Sequence, residues 1–232
     1  MLDKYHRAYK ILKQKEFSND PKQFLHKNQI EEHLTLGGVY EKFHKDKIDW
    51  HFVHNVLKIC DFDLIEVNKM EKERNKLKDT FPLHDAHKAE LQEKIKYIES
   101  KLELQNKFLK RASVMLFNDN DTRFSVAMLF KNDFWDKCRL DEVQSQKMCN
   151  EIFLSAVHIG VLNACKLAQK QVKVLQDGII GNITIKALNR FDENRFDTEF
   201  DDLEIEYYQS LYVKNPKLKM NNNGFVSRAE SV

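Results

Sequence analysis

Two histidines three residues apart, His51 and His54, stand shortly before Cys60 and Asp61, and imidazole, thiolate and carboxylate are the side chains that bind transition metals. A metal centre needs convergent ligands, each oriented by a further hydrogen bond. This pair lacks the glutamate of an H-E-x-x-H motif. The run Asn118-Asp119-Asn120-Asp121-Thr122 offers oxygen donors of the kind calcium takes, without the sixth-position glycine and terminal glutamate of an EF-hand. It reads as a loop and helix cap. The four cysteines Cys60, Cys138, Cys149 and Cys165 are widely spaced with no C-x-x-C, a pattern of buried thiols in a reducing compartment. Phosphate-cradling glycine loops and the G-x-S-x-G nucleophile turn are absent. No metal and no cofactor are therefore expected.

The elements that would position any site are helices. Only 6 Gly and 3 Pro occur in 232 residues, against 42% hydrophobic and 32% charged residues, so the expected class is mainly α. Lys and Arg together number 38 and Asp and Glu 36, a balance that gives no electrostatic case for nucleic acid. No apolar run is long enough to span a bilayer. Residues 2–16, with Leu2, Tyr5, Ala8, Ile11 and Leu12 at helical spacing and lysines between, read as an amphipathic helix and not a signal peptide. The expectation is a chain cytoplasmic as synthesised, whose export to the periplasm would use a non-classical route.

Ser18-Asn19-Asp20-Pro21 stops that helix, and residues 22–40 read as an extended loop with a short hairpin ending at Gly37-Gly38. Residues 49–63 suggest a buried helix. From 66 to 111 the chain is dense in Lys and Glu, with Leu91, Ile95, Ile98, Leu102 and Leu109 at alternating four- and three-residue steps and Gln105 in the remaining slot. Pro82 splits this into arms Glu66–Thr80 and His84–Arg111, a helical hairpin able to serve self-association or a protein partner. One long helix is expected from Glu142 to Gln169, capped by Asp141 and packing closely at Gly160. A tight turn at Asp177–Gly181, a short helix at Thr184–Asn189, a last helix near Asp201–Tyr212 and a frayed tail follow. The expected organisation is an N-terminal region of residues 1–65, an inserted hairpin of residues 66–111 and a C-terminal helical region of residues 112–232.

Four blocks stand in fixed order: Leu129–Asp136 with Phe134-Trp135-Asp136; Arg139–Glu142; Phe153–Val157 with Gly160; and Asp177-Gly178-Ile179-Ile180-Gly181 with Thr184, Ala187 and Leu188. This order resembles glycoside hydrolase family 108, lysozyme-like N-acetylmuramidases often labelled secretion activator proteins, whose C-terminal region is described as peptidoglycan-binding. Tyr207-Tyr208, Leu211, Asn215-Pro216 and Gly224-Phe225 continue the resemblance. Near the N-terminus, Phe17-Ser18-Asn19-Asp20-Pro21 matches the family's aromatic and N-D-P, and Thr35-Leu36-Gly37-Gly38-Val39 matches T-x-x-G-I.

The resemblance implies a lysozyme-like helical domain, here with the hairpin inserted, that cleaves the β-1,4 bond between N-acetylmuramic acid and N-acetylglucosamine in peptidoglycan strands. The family's H-E-G-G-Y carries its catalytic glutamate, and alignment from Phe17 puts Gln14 there, with Lys15 and Glu16 at the two glycines. The family's loop aspartate falls near Gln23 or Gln29. A glutamine amide binds sugar but cannot protonate a leaving oxygen. Two readings stay open. Glu16 replaces the acid, with Glu31 or Glu32 as second carboxylate and Thr35 orienting water; or the fold is kept and catalysis lost, leaving a glycan-binding, secretion-associated or partner-binding protein. Glu16 lies about 200° around a helix from Gln14, so the two do not share a face. Gln14, Phe17 and Trp135 are the candidate substrate contacts; Phe17 is equally suited to core packing, and Trp135 is better suited to packing between the long helix and the N-terminal helices than to stacking on a sugar.

Overall fold

The computed structural model describes residues 2–28 and 33–214, with backbone alone for Leu2, Tyr212 and Lys214. Gln29, Glu31 and Glu32, and the tail motifs Asn215-Pro216 and Gly224-Phe225, lie outside the described residues. The chain is mainly α, with nine α-helices and one three-stranded sheet among the described residues. Among these residues no helix is long and apolar enough to cross a membrane. The chain forms two compact units, Lys15–Val126 and Met1–Gln14 with Ala127–Val232.

In the unit Lys15–Val126, the end of α1 (Leu2–Phe17) leads through Ser18 and Asn19, both at positive φ, into a 3₁₀ turn at Pro21–Gln23. The Asp20 side chain accepts the Lys22 amide at 2.9 Å and Pro21 occupies the first turn, where its missing N–H costs nothing. Strands β1 (Leu25–Lys27), β2 (Leu34–Leu36) and β3 (Val39–Tyr40) follow as an antiparallel meander in order β1-β2-β3. Leu36 pairs with Val39, so Gly37 and Gly38 alone make the turn, at φ 56° and 89°. Such a two-residue turn needs positive φ twice. At Gly37 a Cβ would also meet Phe24 at 2.6 Å. The short hairpin expected in residues 22–40 is this sheet.

Helix α2 (Trp50–Ile59) is capped by Asp49, which accepts the Phe52 amide at 2.9 Å. The hairpin arms are α3 (Leu64–Lys78) and α4 (Asp85–Asn118). Leu91, Ile98 and Leu109 are buried along the α4 seam, as their spacing predicts, and so is Val67 of α3. The polar slot closes a helix start, because Gln105 Oε1 accepts the Asp63 amide at 3.0 Å, where the chain enters α3. The second arm does not stop at Arg111. Nothing breaks the helix before Asn118-Asp119, and Ala112, Ser113 and Leu116 of α4 are fully buried. Ser113 Oγ accepts the Leu25 amide at 2.9 Å and donates to the Pro21 carbonyl at 2.5 Å, tying β1 and the Asp20-Pro21 turn to α4.

In the other unit, Tyr5, Ala8, Tyr9 and Leu12 of α1 are buried. Tyr5 packs edge-on to Trp135 and Phe153 at centroid distances of 5.5 and 5.9 Å, and its hydroxyl donates to the Ala127 carbonyl. Helix α5 (Asn120–Phe130) runs into a π-helical turn, Lys131–Trp135. The single helix expected over 142–169 is two, α6 (Gln146–Ile159) and α7 (Val161–Gln171). Gly160 separates them at φ 86°, ψ 148°, a conformation open essentially to glycine alone. Nothing lies within 4 Å of where its Cβ would be, so this glycine breaks the helix and does not mark close packing. The cap also differs: Ser145 accepts the Met148 amide at 3.3 Å, while Asp141 accepts the Trp135 indole N–H at 3.0 Å. Helices α8 (Asn182–Leu188) and α9 (Glu193–Lys214) complete the unit, with α6, α7 and α9 packed on one another.

Candidate functional site

A groove of about 520 Å³ runs along β1 and α4 in the unit Lys15–Val126. The last turn of α1 contributes Glu16, the 3₁₀ turn Lys22 and Gln23, β1 and its exit His26, Lys27 and Asn28, and α4 Asn106 and Lys110. Leu25 and Leu109 supply its apolar lining. A second cavity of about 360 Å³, which shares His26, Lys27, Asn106 and Leu109, continues toward α3, where Glu71 and Arg74 line it with Glu103 of α4.

The local sequence explains these positions. Left-handed Ser18 and Asn19 turn the chain at the end of α1, and the capped Asp20-Pro21 turn delivers β1 against Ser113. His26 Nδ1 lies 3.1 Å from the Gln23 carbonyl, so the ring is held by its own turn. Lys27 Nζ reaches Glu71 Oε2 at 2.5 Å with a side chain 8% exposed, an ion pair far better shielded than a surface pair. Asn28 Nδ2 donates to the Tyr40 hydroxyl at 3.4 Å. The lining thus offers ammonium and amide donors with Glu16 as its carboxylate. Such a lining can hydrogen-bond polar and anionic groups, and Glu16 and His26 are the side chains in it of the general acid–base type.

The sequence candidates separate. Glu16 is half-buried and lines the groove; Gln14 is exposed on α1 and does not. Phe17 is buried and packs edge-on to Phe24 and Phe117 at 5.4 and 6.5 Å. Thr35 is paired with His26 across the sheet, is 2% exposed, and its Oγ1 has no hydrogen-bond partner among the described residues. Trp135, fully buried, belongs to the other unit and is held by Asp141. The histidine pair does not converge: His54 Nε2 meets Glu41 at 2.7 Å, and His51 Nδ1 lies 3.2 Å from the Asn55 amide. Gln23 lines the groove.

Lys27, Asn106, Lys110 and Glu71 carried no motif signal, because β1 and the hairpin helices meet only in the fold. The other feature without a sequence signal is an acidic cluster. Ligand oxygens of Glu151 on α6 and of Asp201 and Glu204 on α9 lie within 4.8 Å of one another. Helical spacing puts Asp201 and Glu204 on one face, but their approach to Glu151, on a different helix, is a matter of packing.

At the Asp177 turn, Gln169 of α7 makes the bonds that tie it to the helix. Its Nε2 donates to Asp177 Oδ1 at 2.7 Å and to the Ile179 carbonyl at 3.0 Å, and its Oε1 accepts the Gly178 amide at 2.8 Å. The Gln169 amide, and then the Ile179 N–H, hold the Asp177 carboxyl below the ordinary carboxylate range.

The architecture is that of a mainly α-helical protein with a small antiparallel sheet beside a polar groove. Neither the family models nor the curated proteins compared with it match this chain. Among solved structures, SagA of Brucella abortus aligns at 24% identity and a TM-score of 0.37, over 48% of this chain and 64% of that one. The match therefore spans less than two thirds of the SagA chain.

Proposed function

We propose that the groove binds glycan strands of peptidoglycan and that Glu16, the carboxyl group among its described lining residues, protonates the glycosidic oxygen. The observation that carries this reading is the placement of Glu16, and not Gln14, in the lining of a groove rich in ammonium and amide donors. The ordered motif blocks resembling the muramidase family support the substrate class. Cleavage by two carboxylates requires a second group, as nucleophile or as base, across the bond from the acid.

A non-catalytic glycan-binding role is favoured by a separate observation: Glu16 is the sole acidic residue among the described residues lining the groove, and Glu71 nearby is engaged by Lys27. One experiment separates the two. Soluble muropeptides released from purified peptidoglycan are measured for the wild type, Glu16→Gln and Gln14→Glu, with co-sedimentation on the same peptidoglycan as the binding readout. Hydrolysis lost in Glu16→Gln with binding intact establishes the relocated acid. Binding without release in the wild type establishes the binder, and absence of both refutes the proposal.

A further inference from the structure

The sequence spacing of the cysteines suggests four unrelated thiols, but the fold brings two of them together. Cys138, in the turn that follows Trp135, and Cys165, on α7, are both fully buried, and their Sγ atoms lie 3.7 Å apart across a separation of 27 residues. We propose that Cys138 and Cys165 are a disulfide-forming pair, cross-linked when the chain folds in an oxidising compartment.

The argument is geometric. A disulfide needs the sulfurs at about 2.05 Å, so the gap to be closed is less than about 2 Å. Cys165 sits within helix α7, and the turn that carries Cys138 is tied down by hydrogen bonds. The Cys138 amide bonds to the Phe134 carbonyl at 3.1 Å, and the next residue, Arg139, donates to the Ile180 carbonyl at 3.1 Å and to Asn182 at 2.9 Å, tying the Cys138 turn to the segment that follows α7.

The other two thiols are engaged elsewhere. Cys149 Sγ donates to the Leu140 carbonyl at 3.3 Å. Cys60 lies in the other unit, where its Sγ donates to Met115 Sδ at 3.5 Å.

The oxidant is a small-molecule disulfide such as oxidised glutathione. One cysteine thiolate attacks it, forming a mixed disulfide and releasing one glutathione thiol. The second cysteine thiolate then attacks the protein-bound sulfur and releases the other. The two thiol protons pass to the two glutathiones, and one S–S bond is exchanged for another. Because both cysteines are fully buried, exchange takes place during folding or local opening and not on the closed native surface.

The test refolds the denatured, reduced full chain with oxidised and reduced glutathione and removes excess reagent. It then combines intact mass, thiol titration in denaturant and non-reducing peptide mapping. The expected product is lighter by about 2 Da, retains two titratable thiols, and yields the Cys138 and Cys165 peptides joined. Cys165→Ser should keep three free thiols with no internal cross-link. The Cys60→Ser, Cys149→Ser double variant should still lose both of its thiols. Four free thiols in the refolded wild type, or a cross-link mapped to Cys60 or Cys149, would overturn the assignment. The wild-type map decides the matter even if a variant fails to fold.

Discussion

Replacing Gln169 by leucine tests whether the Asp177–Gly181 motif is a structural turn locked by α7. Gln169 is 1% exposed, and leucine keeps most of its volume, so the change removes hydrogen bonds and leaves little cavity. Two bonds to backbone disappear, from the Gly178 amide at 2.8 Å and to the Ile179 carbonyl at 3.0 Å. At about 1 kcal/mol net each, plus about 1–3 kcal/mol where the buried Gly178 N–H is left without a partner, the expected loss is about 3–5 kcal/mol. Trp135 and Trp50 lie in different units, so urea unfolding in a Trp50→Phe background, followed by Trp135 fluorescence, reads the relevant unit.

The deficit also has a pH signature. The Asp177 carboxyl is depressed by the Gln169 amide first and the Ile179 N–H second. A depressed acid contributes stability above the ordinary carboxylate pKa, near about 4, and loses it as pH falls through the lower folded value. The variant's deficit should therefore be larger at neutral pH than under strongly acidic conditions. A loss under about 1 kcal/mol, unchanged with pH, would show that water replaces the amide and that the turn is held otherwise.

Gly160→Ala meets no steric contact, so its cost isolates the backbone conformation at φ 86°, ψ 148°. Chemical unfolding should give a loss of about 1–3 kcal/mol, and a neutral result would mean that α6 and α7 can join without strain. Asp119→Ala removes the acceptor of the Thr122 amide at 2.7 Å at the start of α5 and should cost about 1 kcal/mol at pH 7. Hydrogen bonds from Thr122, side chain and backbone, hold the Asp119 carboxyl below its ordinary range, so the gap to wild type should close as pH falls below about 4. A gap that persists at low pH would assign the loss to something other than the carboxylate.

Local chemistry settled much of the secondary structure. The apolar spacing of α1, the Ser18–Pro21 stop, the seam of Leu91, Ile98 and Leu109, and the paired glycines of the β2–β3 turn are each read from neighbours in sequence, since their physics acts over a few residues. Local chemistry does not decide where two groups compete for one side chain, or where one residue suits two backbone conformations. Asp141 has the chemistry of a helix cap, yet the Trp135 indole claims it and Ser145 caps α6 instead. Gly160 is equally consistent with close packing and with a break, and only its φ and ψ decide. For the groove, the sequence supplied Glu16 and pointed to the loop after Pro21, but Lys27, Glu71 and Asn106 meet only because β1 packs on the α3–α4 hairpin. The Cys138–Cys165 approach is of the same kind. Residue type and spacing determine a helix, a turn or a cap; which side chains share a cavity depends on contacts between segments distant in the chain, and only the tertiary structure decides those.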